Sequence, residues 1–294
     1  FAMAIRDFES LAAGTLLPAS KAPDPTARED QLFLAQARMA AGDTAAARDA
    51  FATLITTTAN AAQPDDIALA AVRGLDRLDI GPKAAAGTAP KLDDSEHLSR
   101  ASIYQFNRDF ADARLHYAAI IQDHPESTSV PDAVYQTGRS FAQEANYSEA
   151  IRWFERVLEQ FPEHPVSRDA LLQAANAYAR VSKHHEGIRR YQDFIAKYAA
   201  DDRLDRAYLN IIDILRDQDE ETDALKWSAK MQEVFRGKLG EALGTFAEAR
   251  VHLAKNDWPA ALAALDRLLT MPELGGAAVP GGTTRAEVTF LRGY

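Results

Sequence analysis

The chain has 294 residues, 47% hydrophobic and 26% charged, which is enough apolar material for a packed core. A formal net charge of −10 lacks the basic footprint of a nucleic-acid binder and gains nothing from anionic lipid headgroups. The absence of cysteine excludes disulfides, thiol catalysis and thiolate metal sites, and no run of 18 apolar residues offers a membrane span.

In chain order, residues 1–13 read as a short amphipathic helix with Ile5, Phe8 and Leu11–Ala12 on one side. No charged segment and apolar stretch follow Phe1, so a signal peptide is expected to be absent or already removed. Residues 14–29 hold Gly14, Pro18, Pro23 and Pro25 and read as a loop. Residues 30–57 read as a helix pair turning at Gly42-Asp43, and residues 65–79 as a further helix. The Gly- and Pro-rich stretch from Gly81 to Pro90 then breaks the pattern, leaving open whether residues 80–93 contain a helix. Residues 1–93 are therefore expected to form an irregular helical region with one degenerate repeat pair.

From about residue 94 the register is regular, with a step of 37 residues. Ala113 and Ala150, Tyr117 and Phe154, and Pro125 and Pro162 are each 37 apart. The step continues to Gly187 and Tyr191, to Ala224 and Ser228, and to Ala261 and Leu265. Apolar positions recur at three and four residues, prolines fall at junctions, and strand patterns are absent. Pro259 suits the first turn of a helix. A fixed period in this range predicts a solenoid of stacked helix pairs over residues 94–274, whose first expected role is binding. Residues 275–294 read as a flexible Gly-rich loop followed by the start of a further repeat. Because the chain stops inside that helix, a C-terminal continuation of the same protein is expected.

The unit Val134…Gly138…Phe141…Tyr147…Ala150…Phe154…Pro162 resembles the tetratricopeptide (TPR) pattern, over about residues 94–272 and less closely 30–57. The resemblance implies an all-α, right-handed superhelix of stacked antiparallel helix pairs, with small residues at Ala101, Gly138, Ala175 and Ala249 letting paired helices approach. At Ile212 and Ser228 the pattern decays, and the unit over 205–236 is expected to pack differently. The step exceeds the common TPR step of about 34, and the long junctions resemble those of bacterial envelope TPR proteins. These include the outer-membrane-assembly lipoprotein, the coordinator of the Tol–Pal system, and the helical superstructure of soluble lytic murein transglycosylases. A periplasmic or cell-envelope location is the expectation that follows.

In TPR proteins the first helices line a groove, and one place on them recurs here at Ser102, Arg139, Asn176, Asp213 and Arg250. The place four residues later holds Phe106, Gln143, Arg180 and Asp217. The resemblance thus nominates Arg139, Asn176, Arg180, Asp213 and Arg250 as partner-binding residues, with the cations suited to carboxylates or backbone carbonyls. The chaperone-binding TPR subtype clamps a C-terminal carboxylate with Lys and Asn. Asn176 matches, but Leu172 stands where the Lys belongs.

No catalytic, cofactor or metal site emerges. Transglycosylases carry a Glu-Ser pair inside a longer motif, and the rest of that motif is missing around Glu9-Ser10 and Glu126-Ser127. His184-His185 are adjacent, point about 100° apart on a helix, and read as solvated turn residues. His97, His116, His124, His164 and His252 are scattered, and Asp217–Glu221 reads as a solvated turn. Gly275–Gly282 lacks the Lys-Ser/Thr of a phosphate loop. The leading expectation is a non-catalytic scaffold for a protein or peptide partner in the envelope, a peptidoglycan-associated one included, with no nucleic acid and no membrane span. The alternative is the scaffold of a periplasmic lytic transglycosylase whose catalytic domain follows residue 294.

Overall fold

A computed structural model describes residues 2–12, 27–57, 62–81 and 87–293. Fifteen α-helices are present among them, stacked as antiparallel pairs in a TPR-like solenoid fold. The chain divides into two compact units, residues 1–146 and 147–294. The first unit holds α1 (Ala2–Ala12), α2 (Ala27–Ala41), α3 (Thr44–Thr56), α4 (Asp66–Ile80), α5 (Asp94–Phe106), α6 (Phe110–Asp123) and α7 (Val130–Gln143). The second holds α8 (Tyr147–Gln160), α9 (Val166–Arg180), α10 (His184–Lys197), α11 (Leu204–Asp217), α12 (Glu221–Val234), α13 (Leu239–Ala254), α14 (Trp258–Thr270) and α15 (Arg285–Gly293). Within each unit every helix packs on its neighbours in sequence.

The expected first helix is α1, where Phe8 stacks on Phe33 of α2 at 5.6 Å between ring centroids; the side chains of Leu11 and Ala12 lie outside the described residues. The loop expected at 14–29 also lies outside them, apart from its last three residues, which already belong to α2. Between α4 and α5, residues 87–93 are not helical and 82–86 lie outside the described residues.

The 37-residue step has a backbone counterpart. Arg108, Ala145, Ser182, Asp219 and Asn256, each 37 after the last, adopt φ between 59° and 62°. Each sits in the turn between two consecutive helices. The residue after it donates its N–H to the carbonyl five positions before the left-handed residue's successor: Asp109 to Tyr104, Asn146 to Phe141, Lys183 to Tyr178, Glu220 to Leu215 and Asp257 to His252, at 2.9–3.0 Å. This is the bond that closes a helix C-terminus through a left-handed residue. Asp257 then caps α14 by accepting from Ala260 N, as Asp43, Asp65 and Asp93 cap α3, α4 and α5.

Close helix approach follows the small residues. Ala113, Ala150, Ala224 and Ala261 are all buried on second helices. A Cβ at Gly187 would meet the Ala175 carbonyl oxygen at 3.1 Å, and one at Gly74 would meet the Phe51 ring at 2.5 Å. Tyr117, Phe154 and Tyr191 fill the seams and are buried. The expected change at 205–236 takes a specific form. Ser228 stands at the place of these aromatics and Ile212 at the place of Gly138 and Ala175, and both are fully buried. Bulk has moved from the second helix to the first, and Ser228 Oγ donates to the Ala224 carbonyl at 3.0 Å.

Polar cross-links repeat near the same step. Arg73 pairs with Asp109 (2.5 Å), Arg203 with Asp169 (2.6 Å), Lys255 with Asp219 (2.6 Å) and Arg190 Nε with Glu155 (2.8 Å). The loop 275–282, expected as a flexible insertion, is closed at its base. Gly276 N donates to Thr283 O and Thr283 N to Leu274 O, both at 3.1 Å.

Candidate functional site

The first unit contains a cavity of 490 Å³ floored by Tyr117 of α6. Its walls come from first helices: Ser102, Gln105 and Phe106 on α5, and Gln136, Arg139 and Gln143 on α7, with Arg108 from the turn. Tyr117 is buried, and that burial raises its phenol pKa. Arg139 donates to Gln136 Oε1 at 3.1 Å. Gln105 Nε2 donates to Gln143 Oε1, while Gln105 Oε1 is buried with no hydrogen-bond partner among the described residues. Phe106 is 50% exposed, a large apolar surface at the rim.

The second unit contains the equivalent cavity, 220 Å³ in volume, floored by Tyr191 of α10. Leu172, Gln173 and Asn176 of α9 and Arg206, Ala207 and Asn210 of α11 line it, with Arg203 beside them. Tyr191 lies two repeat steps after Tyr117, Asn176 two after Ser102, and Asn210 two after Gln136. The Tyr191 hydroxyl donates to Asn176 Oδ1 (2.5 Å) and accepts from Asn210 Nδ2 (2.9 Å). Burial pushes its pKa up to about 12, against the bond from Asn210.

The residues nominated from the sequence separate into three situations. Arg139 and Asn176 line the two cavities. Arg180 is exposed at the C-terminal end of α9 and makes no hydrogen bond or ion pair among the described residues. Asp213 and Arg250 pair with each other at 3.2 Å, and Asp213 also accepts from Arg216 at 2.6 Å. Arg250 and Asp213 thereby neutralise one another. His184 and His185 open α10 rather than standing in the turn, and His185 Nε2 lies 3.9 Å from Glu220. Among the described residues no group of three or more His, Asp or Glu is arranged to hold a metal ion, and no helix is long and apolar enough to cross a membrane.

The histidines that look scattered in sequence are brought together in the first unit. His97 of α5 and His116 of α6 face each other with Nδ1 atoms 2.9 Å apart, and both are buried. His116 Nε2 lies 3.1 Å from Asp76 Oδ2 on α4. A carboxylate only accepts, so that nitrogen carries a hydrogen, and one hydrogen is shared between the two facing Nδ1 atoms. Tyr104 donates to the same Asp76 oxygen (2.5 Å), and Arg100 to the other (2.6 Å). Arg100 also meets Asp79 (2.7 Å) and Glu96 (2.5 Å). Burial opposes ionisation of Asp76, but the bonds from His116, Tyr104 and Arg100 outweigh it and lower its pKa. His97 has no carboxylate at hydrogen-bond distance; burial first, then His116, His124 and Arg100, lower its pKa to about 4. Burial and Asp76 raise that of Tyr104. The network borders a cavity of 310 Å³ that Arg73, Arg77 and Asp112 also line. Its hydrogen bonds and ion pairs join α4, α5 and α6.

Residues 127–237 match the family model described as "YfiO: Outer membrane lipoprotein". Among solved structures, the C-terminal part of a TPR repeat-containing protein from Cytophaga hutchinsonii is 17% identical. It covers 95% of this chain and 93% of that one, with a TM-score of 0.50. A tetratricopeptide repeat protein from Parabacteroides merdae is 14% identical, covering 99% and 100% of the two chains, with a TM-score of 0.38. Likeness at this level concerns the fold, and the chain carries a TPR-like helical-repeat fold. No curated protein matches the sequence. The family model does not point to a murein transglycosylase.

Proposed function

We propose that the chain is a non-catalytic scaffold that holds a protein or peptide partner against its first helices, in a bacterial cell envelope. The observation that carries this reading is the Tyr-floored cavity that recurs two repeat steps apart, rimmed in both units by amide side chains and guanidinium groups. Amides and guanidiniums on rigid helices offer donors and acceptors to a main chain laid along them. The envelope setting is supported by the outer membrane lipoprotein model over residues 127–237.

Filling the cavities tests the reading. Ser102→Trp and Gln173→Trp each place an indole at a cavity wall without replacing a fully buried side chain. Combined, they are expected to abolish capture of the partner from envelope extracts while the far-UV circular dichroism stays that of the parent. Capture at parental levels by the folded double variant rules the grooves out as the binding surface.

A further inference from the structure

The cavity of the first unit is set apart by the sign of its lining. The chain has 43 acidic and 33 basic residues, yet no carboxylate among the described residues lines this cavity, and Arg108 and Arg139 do. Most guanidiniums of the chain sit against a carboxylate: Arg73 with Asp109, Arg114 with Glu144, Arg190 with Glu155, Arg203 with Asp169 and Asp201. These two do not. Arg139 has only the neutral Gln136 oxygen, and Arg108 lies over the Phe110 ring, 5.5 Å from its centroid. A second observation points to a ligand that also donates. Gln105 Oε1, on the same wall, is a buried acceptor without a donor among the described residues, a state that costs free energy until an N–H reaches it. The second cavity is the weaker case, since Arg203 is already neutralised by Asp169 and Asp201, and among the described residues Arg206 alone of its lining lacks a carboxylate partner.

We infer that the cavity of Tyr117, Gln105, Arg108 and Arg139 binds an extended acidic peptide segment. A side-chain carboxylate of the ligand meets Arg139 and Arg108, a backbone N–H meets Gln105 Oε1, and an apolar side chain lies on Phe106. This rests on the groove reading above and names its ligand chemistry. The amide wall and the Gln105 acceptor suit a peptide main chain, whose N–H donors a polyphosphate backbone lacks.

The test uses fluorescence anisotropy of labelled decapeptides at low ionic strength, one built of Gly, Leu and Glu and one with every Glu replaced by Gln, beside a single-stranded RNA decamer. The Glu peptide is expected to bind at least about tenfold more tightly than the Gln peptide, and added salt to weaken it. Arg108→Gln combined with Arg139→Gln is expected to remove the preference, and Arg189→Gln, exposed on α10 and outside both cavities, to leave it unchanged. Equal binding of the two peptides, both lost in Ser102→Trp, overturns the acidic ligand and keeps the groove. Glu-peptide binding that survives Ser102→Trp overturns both. Failure of the Glu peptide to bind, with or without binding of the RNA, overturns the inference.

Discussion

Acidification should loosen the first unit through His97. Its imidazole is 1% exposed, shares one hydrogen with His116 across 2.9 Å, and has its pKa lowered by burial from 6.5 to about 4. A second hydrogen between the facing nitrogens would set two N–H groups head to head. The unfolded chain therefore binds more protons than the folded one between pH 6.5 and 4. This contribution to stability is fully present above 6.5, is lost as pH falls toward 4, and is constant below that. Integrating between pH 7 and pH 5 with those two values gives a loss of about 2 kcal/mol. Asp76, whose pKa is also lowered, withdraws its own contribution only below the ordinary carboxylate range, so the two can be separated. His97→Gln keeps a donor toward His116 and removes the titration. Amide hydrogen exchange of α5 and α6 at matched intrinsic rates reads the local stability directly, which suits a repeat array whose global unfolding need not be two-state. Protection should fall between pH 7 and pH 5 in the parent and stay nearly level in His97→Gln. The same slope in both proteins refutes the assignment.

Other substitutions probe the frame. Arg100→Met takes from the buried Asp76 and from Asp79 the cation they share and should cost about 3–5 kcal/mol, seen as early urea unfolding of the first unit. Gly74→Ala drives a Cβ into the Phe51 ring and should cost about 1–3 kcal/mol by thermal denaturation; adding Phe51→Leu should recover part of it, a coupling that two unrelated losses would not show. Ala145→Gly removes the strain of a left-handed alanine at φ 60° and should stabilise by up to about 1 kcal/mol after the extra chain entropy of glycine. Asn256→Gly should change less, since Asn tolerates that conformation; a larger gain there than at Ala145 contradicts the account of the turns.

The regular array was legible because its period and its chemistry agree. Small residues one step apart, such as Ala113, Ala150 and Gly187, meet a neighbouring helix because a helix pair of fixed length brings them to the same place. The same rule holds a lesson for Asp213 and Arg250. Equivalent places in successive repeats are neighbours, so opposite charges one step apart should be expected to find each other before any ligand does. The His97 network was not legible, because Asp76, His97, Arg100, Tyr104 and His116 follow no repeat step and α4 of the irregular region must fold against α5 and α6 before they meet. The turn residues were hidden for another reason. Arg108, Ala145, Ser182, Asp219 and Asn256 share a backbone angle and no side-chain chemistry, so composition carries no trace of them.

That last property has a consequence for how such a chain changes. The hydrogen bond that sets each left-handed turn runs from backbone to backbone, and all five side chains there are exposed. The position is constrained in shape and free in identity. One of its five occupants, Arg108, already reaches the rim of a cavity. Substitution at that place alters the charge a ligand meets while the packed seams between helices stay as they are, so recognition can drift from one partner to another without the fold being rebuilt.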